Sequence, residues 1–229
     1  MESEDENIVS LLNVSKSYNG IRTETPVLRD VSLTARQSEM ILLLGPSGSG
    51  KTTLLTIISG LQPVTCGDVY LFGKKINEYS QYELQVIRAR RMGFIFQNFN
   101  LINSLNVIQN VILVLKFAGS DAKFAKVIAQ EYLRKLGIEN LSYSLPGRIS
   151  HGEKQRVAIA RSLVNGASLI LADEPTGSLS SRQGMEIIAL LRKSCEDERR
   201  CVIIASHDQR IKNFADRVIH LSDGQLGII

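Results

Sequence analysis

Apolar and polar positions alternate along this chain with two different periods, and the switches between them mark its elements. Residues 7–18 read as an extended edge segment, and 26–35 continue it with Val27, Val31 and Leu33 in alternation. Residues 40–44 are wholly apolar and stop at Gly45, the pattern of a central strand covered on both faces. The spacing then turns helical over 51–59, where Leu54, Leu55, Ile57 and Ile58 share one side. A short strand over 69–72 enters a turn at Gly73. From about residue 98 to 145 helical patterns dominate, with the main helices predicted at 104–117 and 122–136. Strand and helix alternate again afterwards: helix 153–164, strand 168–172, helix 182–194, and strands 201–206 and 217–221. The pattern predicts one α/β domain over 8–229 with a helical insert at about 98–155, preceded by an acidic N-terminus at 1–7 expected to be disordered.

Composition narrows the function without naming it. A chain of 229 residues fits one domain, and 44% apolar content is ample for a core. The net charge of +4 is spread along the chain, and basic clusters such as Arg88, Arg90 and Arg91 are short. A solvated or nucleotide-facing surface explains them, and no nucleic-acid partner is expected. Cys66, Cys195 and Cys201 are odd in number and lack metal or disulfide spacing, so a reducing compartment is the natural one. The acidic start is unlike a signal peptide. Apolar runs such as 111–115 fall far short of the roughly 18 residues of a membrane helix. Any membrane role must come through a partner.

The strongest chemical signal is GPSGSGKT at 45–52, a full match to G-x-x-x-x-G-K-[ST] placed between a buried strand and a helix. Its glycines allow a tight loop whose N–H groups turn inward and, with the helix N-terminus, hold phosphate oxygens. Lys51 would reach the β- and γ-phosphates, and the Thr52 hydroxyl would ligate Mg²⁺. Downstream, the apolar run 169–172 ends in Asp173 and Glu174. Alone, two acids closing a strand mean little. Beside a phosphate loop, Asp173 is placed to act on Mg²⁺ and Glu174 to polarise the attacking water as general base. His207 follows the 201–206 strand and is expected to touch phosphate or Glu174. Gln97 opens the helical stretch; its amide oxygen suits Mg²⁺ and, being uncharged, can move in and out of a site.

Together these residues resemble the ABC transporter ATPase family, in order and over almost the whole chain, 8–229. The resemblance adds Tyr18 as the aromatic that stacks on adenine. It makes Gly45, Pro46, Ser47, Gly48, Ser49, Gly50, Lys51, Thr52 and Thr53 the phosphate loop. Gln97 becomes the Q-loop, ISHGE at 149–153 the signature, 169–173 the Walker B strand, 177–181 the D-loop and His207 the switch histidine. KQRVAIAR at 154–161 is also family-like. The resemblance implies a P-loop, RecA-like core with an antiparallel β subdomain and the helical insert. It implies ATP and Mg²⁺ held between two copies facing head to tail, so that Ser150, Gly152 and Glu153 of one copy meet the ATP bound by the other. Physically, the N-terminus of the signature helix, with a hydroxyl and bare backbone, is a good anion site.

The stretches 93–101 and 172–177 are similar to the branch of lipoprotein-releasing, macrolide-efflux and cell-division ATPases. That branch implies an integral-membrane permease with few membrane helices as partner, a place on the cytoplasmic face of the membrane, and export of lipid, lipoprotein, peptide or drug. The alternative is a regulatory ATPase acting mechanically on a permease-like partner without transport; the partner's identity discriminates the two. A soluble role in translation or DNA repair would call for a second nucleotide domain or long coiled coils, and the sequence has neither. Three positions depart from the family pattern. His151 stands where the first signature glycine is usual, Ser180 replaces the D-loop aspartate, and Ser38 replaces a common glycine, expected to be harmless. Activity is expected to be retained, because Lys51, Asp173, Glu174 and His207 are all present.

Overall fold

In the computed structural model, residues 7–19, 24–177 and 179–227 are described. The expected disorder of 1–7 and the D-loop residue Ser178 therefore fall largely or wholly outside the described residues. Two sheets carry the chain. The smaller is antiparallel, in the order β2-β1-β4-β5, and is built from β1 (Asn7–Asn19), β2 (Glu24–Arg36), β4 (Cys66–Leu71) and β5 (Lys74–Lys75). The segment 7–18 was expected at an edge, yet β1 runs between β2 and β4. Its outward side chains include the exposed Leu12, so alternation alone gave no sign of a second neighbour.

The larger sheet has the order β10-β9-β3-β8-β7-β6. Its strands are β3 (Met40–Leu44), β6 (Met92–Ile95), β7 (Leu169–Asp173), β8 (Cys201–Ser206), β9 (Arg217–Ser222) and β10 (Gln225–Gly227). All neighbours are parallel except β10 on β9. Every residue of β3, β7 and β8 is buried, which is why these strands read as unbroken apolar runs. Successive β3 side chains enter different cores. Met40, Leu42 and Leu44 join one with the helices α3 (Val107–Phe117), α4 (Ala122–Lys135), α5 (His151–Leu163) and α6 (Ser181–Asp197). Ile41 and Leu43 join the other, with α1 (Lys51–Ile58) and the small sheet.

Four helices and strands went unforeseen: α2 (Gln81–Arg91), β5, β6 and β10. Only Leu84 of α2 is buried, so that helix has almost no apolar stripe; its start is signalled by a Ser80–Glu83 capping box. The basic cluster at its end is engaged within the fold. Arg88 and Arg90 donate to the carbonyls of Gly60 and Ala118, and Arg91 lies over the Phe72 ring. Gly93 lets β6 press on α5, since a Cβ there would stand 2.0 Å from the Ser162 carbonyl oxygen. Ser38 sits in a turn at φ 61°, a left-handed angle that explains why glycine suits this place and makes serine a mild strain.

The register decides the site. Leu44 of β3 lies beside Ser206 of β8, and Asp173 of β7 beside Ala205. The residues that follow these strand ends therefore emerge together at one edge of the sheet.

Candidate active site

The loop after β3 turns sharply back under α1. Gly45 passes so close to β9 that a Cβ would lie 2.1 Å from the Leu221 carbonyl oxygen. Gly50 is the N-cap of α1 at φ 103°, closed to other residues without strain. Lys51 and Thr52 thus open the helix with their side chains toward the strand ends. Lys51 is 6% exposed. Its Nζ donates to the carbonyl oxygens of Gly45 and Pro46 at 2.8 and 2.9 Å and stands 3.9 Å from Glu174 Oε1. Ser49 Oγ is buried with no partner, a polar atom left for a ligand to satisfy.

Opposite lies the end of β7. Thr52 Oγ1 donates to Asp173 Oδ2 at 2.8 Å. Burial pushes the Asp173 carboxyl above the usual range; the Thr52 hydrogen bond opposes this, Glu174 adds to it and Lys51 opposes it. Glu174 takes a left-handed φ of 47°, and its N–H donates to the Ala205 carbonyl at 2.9 Å. Its carboxylate is held from two sides: Oε2 accepts from Ser206 Oγ at 3.1 Å, and Oε1 lies 3.0 Å from His207 Nδ1. A cavity of about 240 Å³ joins these groups, lined by Val27, Ser47, Gly48, Gly50, Lys51, Thr52, Thr53, Gln97, Asp173, Glu174 and His207. Thr52, Asp173 and Gln97 offer it the hard oxygen donors that suit Mg²⁺, which takes one or two protein ligands beside substrate phosphates.

Other anticipated residues stand apart from this cavity. Tyr18 is exposed at the end of β1, with its hydroxyl on Gln62 Oε1 and Lys16 Nζ 5.1 Å from its ring centre. Ser150 caps α5, and Glu153 is taken up in that cap: its carboxylate accepts from the Ser150 N–H at 2.7 Å and hydroxyl at 2.8 Å. Gly152 leaves little room, because a Cβ there would be 3.3 Å from Gln183 Nε2. Ser180 caps α6 by accepting from the Gln183 N–H at 3.4 Å, a role open to the aspartate it replaces, and its hydroxyl donates to Gln183 Oε1 at 2.9 Å, a bond that a carboxylate cannot make.

Sequence reasoning missed Ser206, Val27 and Arg210. Arg210 grips Asp208 through both carboxylate oxygens and also meets Ser181 Oγ, tying the loop after β8 to the start of α6. Only Ser206 gave a signal: it is a hydroxyl closing an otherwise apolar buried strand.

Residues 28–177 match the family described as ABC transporter. The chain is 36% identical over 223 residues to the lipoprotein-releasing system ATP-binding protein LolD of Francisella tularensis subsp. tularensis, covering 97% of this chain and 96% of that one. It is 39% identical to the macrolide export ATP-binding/permease protein MacB of Photorhabdus laumondii, covering 96% of this chain and 34% of that protein. The dimeric structure of MJ0796, a bacterial ABC transporter cassette, superposes with a TM-score of 0.90 at 38% identity over 95% of this chain and 96% of that one. A second MJ0796 structure, a post-hydrolysis state bound to ADP and Pi, fits as well. The phosphate loop, the paired carboxylates and this family match agree: the chain is a member of the ABC transporter family, an ATP-binding subunit built on the P-loop fold.

Proposed function

We propose that this chain hydrolyses ATP at the interface of two facing copies and so drives a membrane permease, for export of a lipid, lipoprotein, peptide or drug. The carrying observation is the meeting of Lys51, Thr52, Asp173, Glu174 and His207 around one cavity. The amides of residues 45–50 and the start of α1 cradle the phosphates. Lys51 gives up the Gly45 and Pro46 carbonyls for the β- and γ-phosphate oxygens. Thr52, Asp173 and Gln97 would hold Mg²⁺, which when bound supplies charge neutralisation across the phosphates. Glu174 takes the proton of the attacking water on a carboxylate oxygen, while Ser206 and His207 keep that carboxylate aimed. Tyr18 stacks on adenine. Ser150, Gly152 and Glu153 complete the site of the other copy, their helix end facing its γ-phosphate.

Residues 98–155 act as a helical unit that transmits closure to the permease. Among the described residues no helix is long and apolar enough to cross a membrane, in keeping with attachment through that partner on the cytoplasmic face. The names of the LolD and MacB relatives support export. The test is the ATPase rate of the wild type and Glu174→Gln with Mg·ATP, alone and with the co-purifying permease. A large loss in the variant supports the reading, and equal rates refute it.

A further inference from the structure

The turn that follows Gln97 is strapped to α5 at both ends of that helix. Phe99 and Asn100, the second and third residues after Gln97, take left-handed φ angles of 59° and 47°. Asparagine tolerates this region and phenylalanine does so only where the surroundings impose it. At the first turn of α5 the His151 ring meets the Phe99 ring edge to face, with centroids 5.8 Å apart and planes at 64°. In its last turn Arg161 Nη1 donates to the Asn100 carbonyl at 2.6 Å and reaches that of Phe99 at 3.5 Å. Gln97 itself lines the ATP cavity.

We infer that His151 is a positioning residue: its ring fixes the Phe99 turn and thereby where the Gln97 side chain stands in the cavity. The inference rests on the hydrolysis reading above. A glycine at 151 would offer Phe99 no side chain, so the histidine replaces a backbone-only position by a ring that joins two motifs within one subunit. With copies facing each other, that ring links the Gln97 of one site to the helix end that serves the other.

The sequence contains no tryptophan, so Phe99→Trp places a single indole at the contact. Without nucleotide, adding His151→Gly to that variant should red-shift its emission and about double its acrylamide quenching, as an aromatic neighbour is lost. Unchanged emission and quenching would overturn the contact whatever the chain does with ATP. The second arm is steady-state ATPase against ATP concentration. His151→Gly and Phe99→Ala should each lower kcat about three- to tenfold and move KM less than about twofold, because the phosphate loop still grips the nucleotide. The double variant should lose no more than the worse single one, and His151→Phe, which keeps a ring on Phe99, should recover most of the rate. Full activity in His151→Gly, additive losses, or no rescue by phenylalanine would each overturn the positioning role. A wild type that hydrolyses no ATP would sink the hydrolysis reading and this role with it, leaving the fluorescence arm to judge the contact alone.

Discussion

Replacing Asp173 by asparagine should stabilise the ligand-free fold while disabling its site. Asp173 is 6% exposed at the end of β7, beside Glu174 and under the Thr52 hydroxyl. Burial, more than any neighbour, raises its carboxyl above the ordinary 3.8. The sign follows from proton counting. Below 3.8 the folded and unfolded chains both hold the proton, and burial costs nothing in charge. From 3.8 up to the raised value, the folded chain keeps a proton that the unfolded chain has released, so stability falls as pH rises. Above that window the loss is complete and constant. Asparagine matches the shape, still accepts from Thr52 and carries no charge. At pH 7 Asp173→Asn should therefore be more stable by about 1 kcal/mol, or about 2–4 °C in Tm for a chain of this size. The assay is thermal unfolding by circular dichroism from pH 4 to 8, in EDTA and without nucleotide. The advantage should shrink toward the acid end, and Mg·ATP should raise the wild-type Tm more than that of the variant. A variant no more stable than wild type at pH 7, or an advantage independent of pH, refutes the reasoning.

Four further outcomes are expected. Glu174→Gln should lower kcat by about 10²- to 10³-fold with fluorescent ATP-analogue affinity unchanged, since the base is lost and the phosphate grip is not; single-turnover and binding assays separate the two. Ser206→Ala removes the donor at Glu174 Oε2 and leaves His207 alone to aim the carboxylate, so kcat should fall about three- to tenfold at constant KM. Ser38→Gly relieves the φ of 61° and should stabilise by about 0.5–1 kcal/mol, read as a higher urea midpoint at unchanged slope. Arg200→Met should destabilise by about 3 kcal/mol in the same assay, because the 2% exposed guanidinium serves the Ala167 and Leu163 carbonyls and contacts Glu198.

What could be read from the chain was what is local. The bounds of β3 and β8 follow from unbroken apolar runs, and the phosphate loop from eight consecutive residues. Pairing is not local. Nothing within residues 7–18 says that β4, some 50 residues on, closes against β1, and the left-handed Asn13 at φ 49° breaks the alternation that would have hinted at it. α2 was missed because a helix that buries one side chain has no stripe to detect. In the site, Thr52 and Asp173 were each legible from their own motif. Their 2.8 Å contact across 121 positions comes from α1 packing beside β7. Ser206 and Arg210 act on Glu174 and Ser181, 32 and 29 positions away, and no short pattern announces them.

The same distinction explains why the site is built as it is. Two acids at the end of one buried strand repel each other and lack water, which by itself destabilises the fold. Without ligand the chain offsets this with what it has: the Thr52 hydroxyl on Asp173, Ser206 and His207 on Glu174, and Lys51 near both while bound to its own loop carbonyls. Each of these partners except Ser206 also lines the cavity, so each faces a ligand that would compete for it. ATP with Mg²⁺ draws Lys51 to the phosphates and brings positive charge to Asp173, replacing the improvised contacts with stronger ones. Stability that the empty site lacks thus returns as affinity for nucleotide, which is the quantity the Asp173→Asn comparison measures.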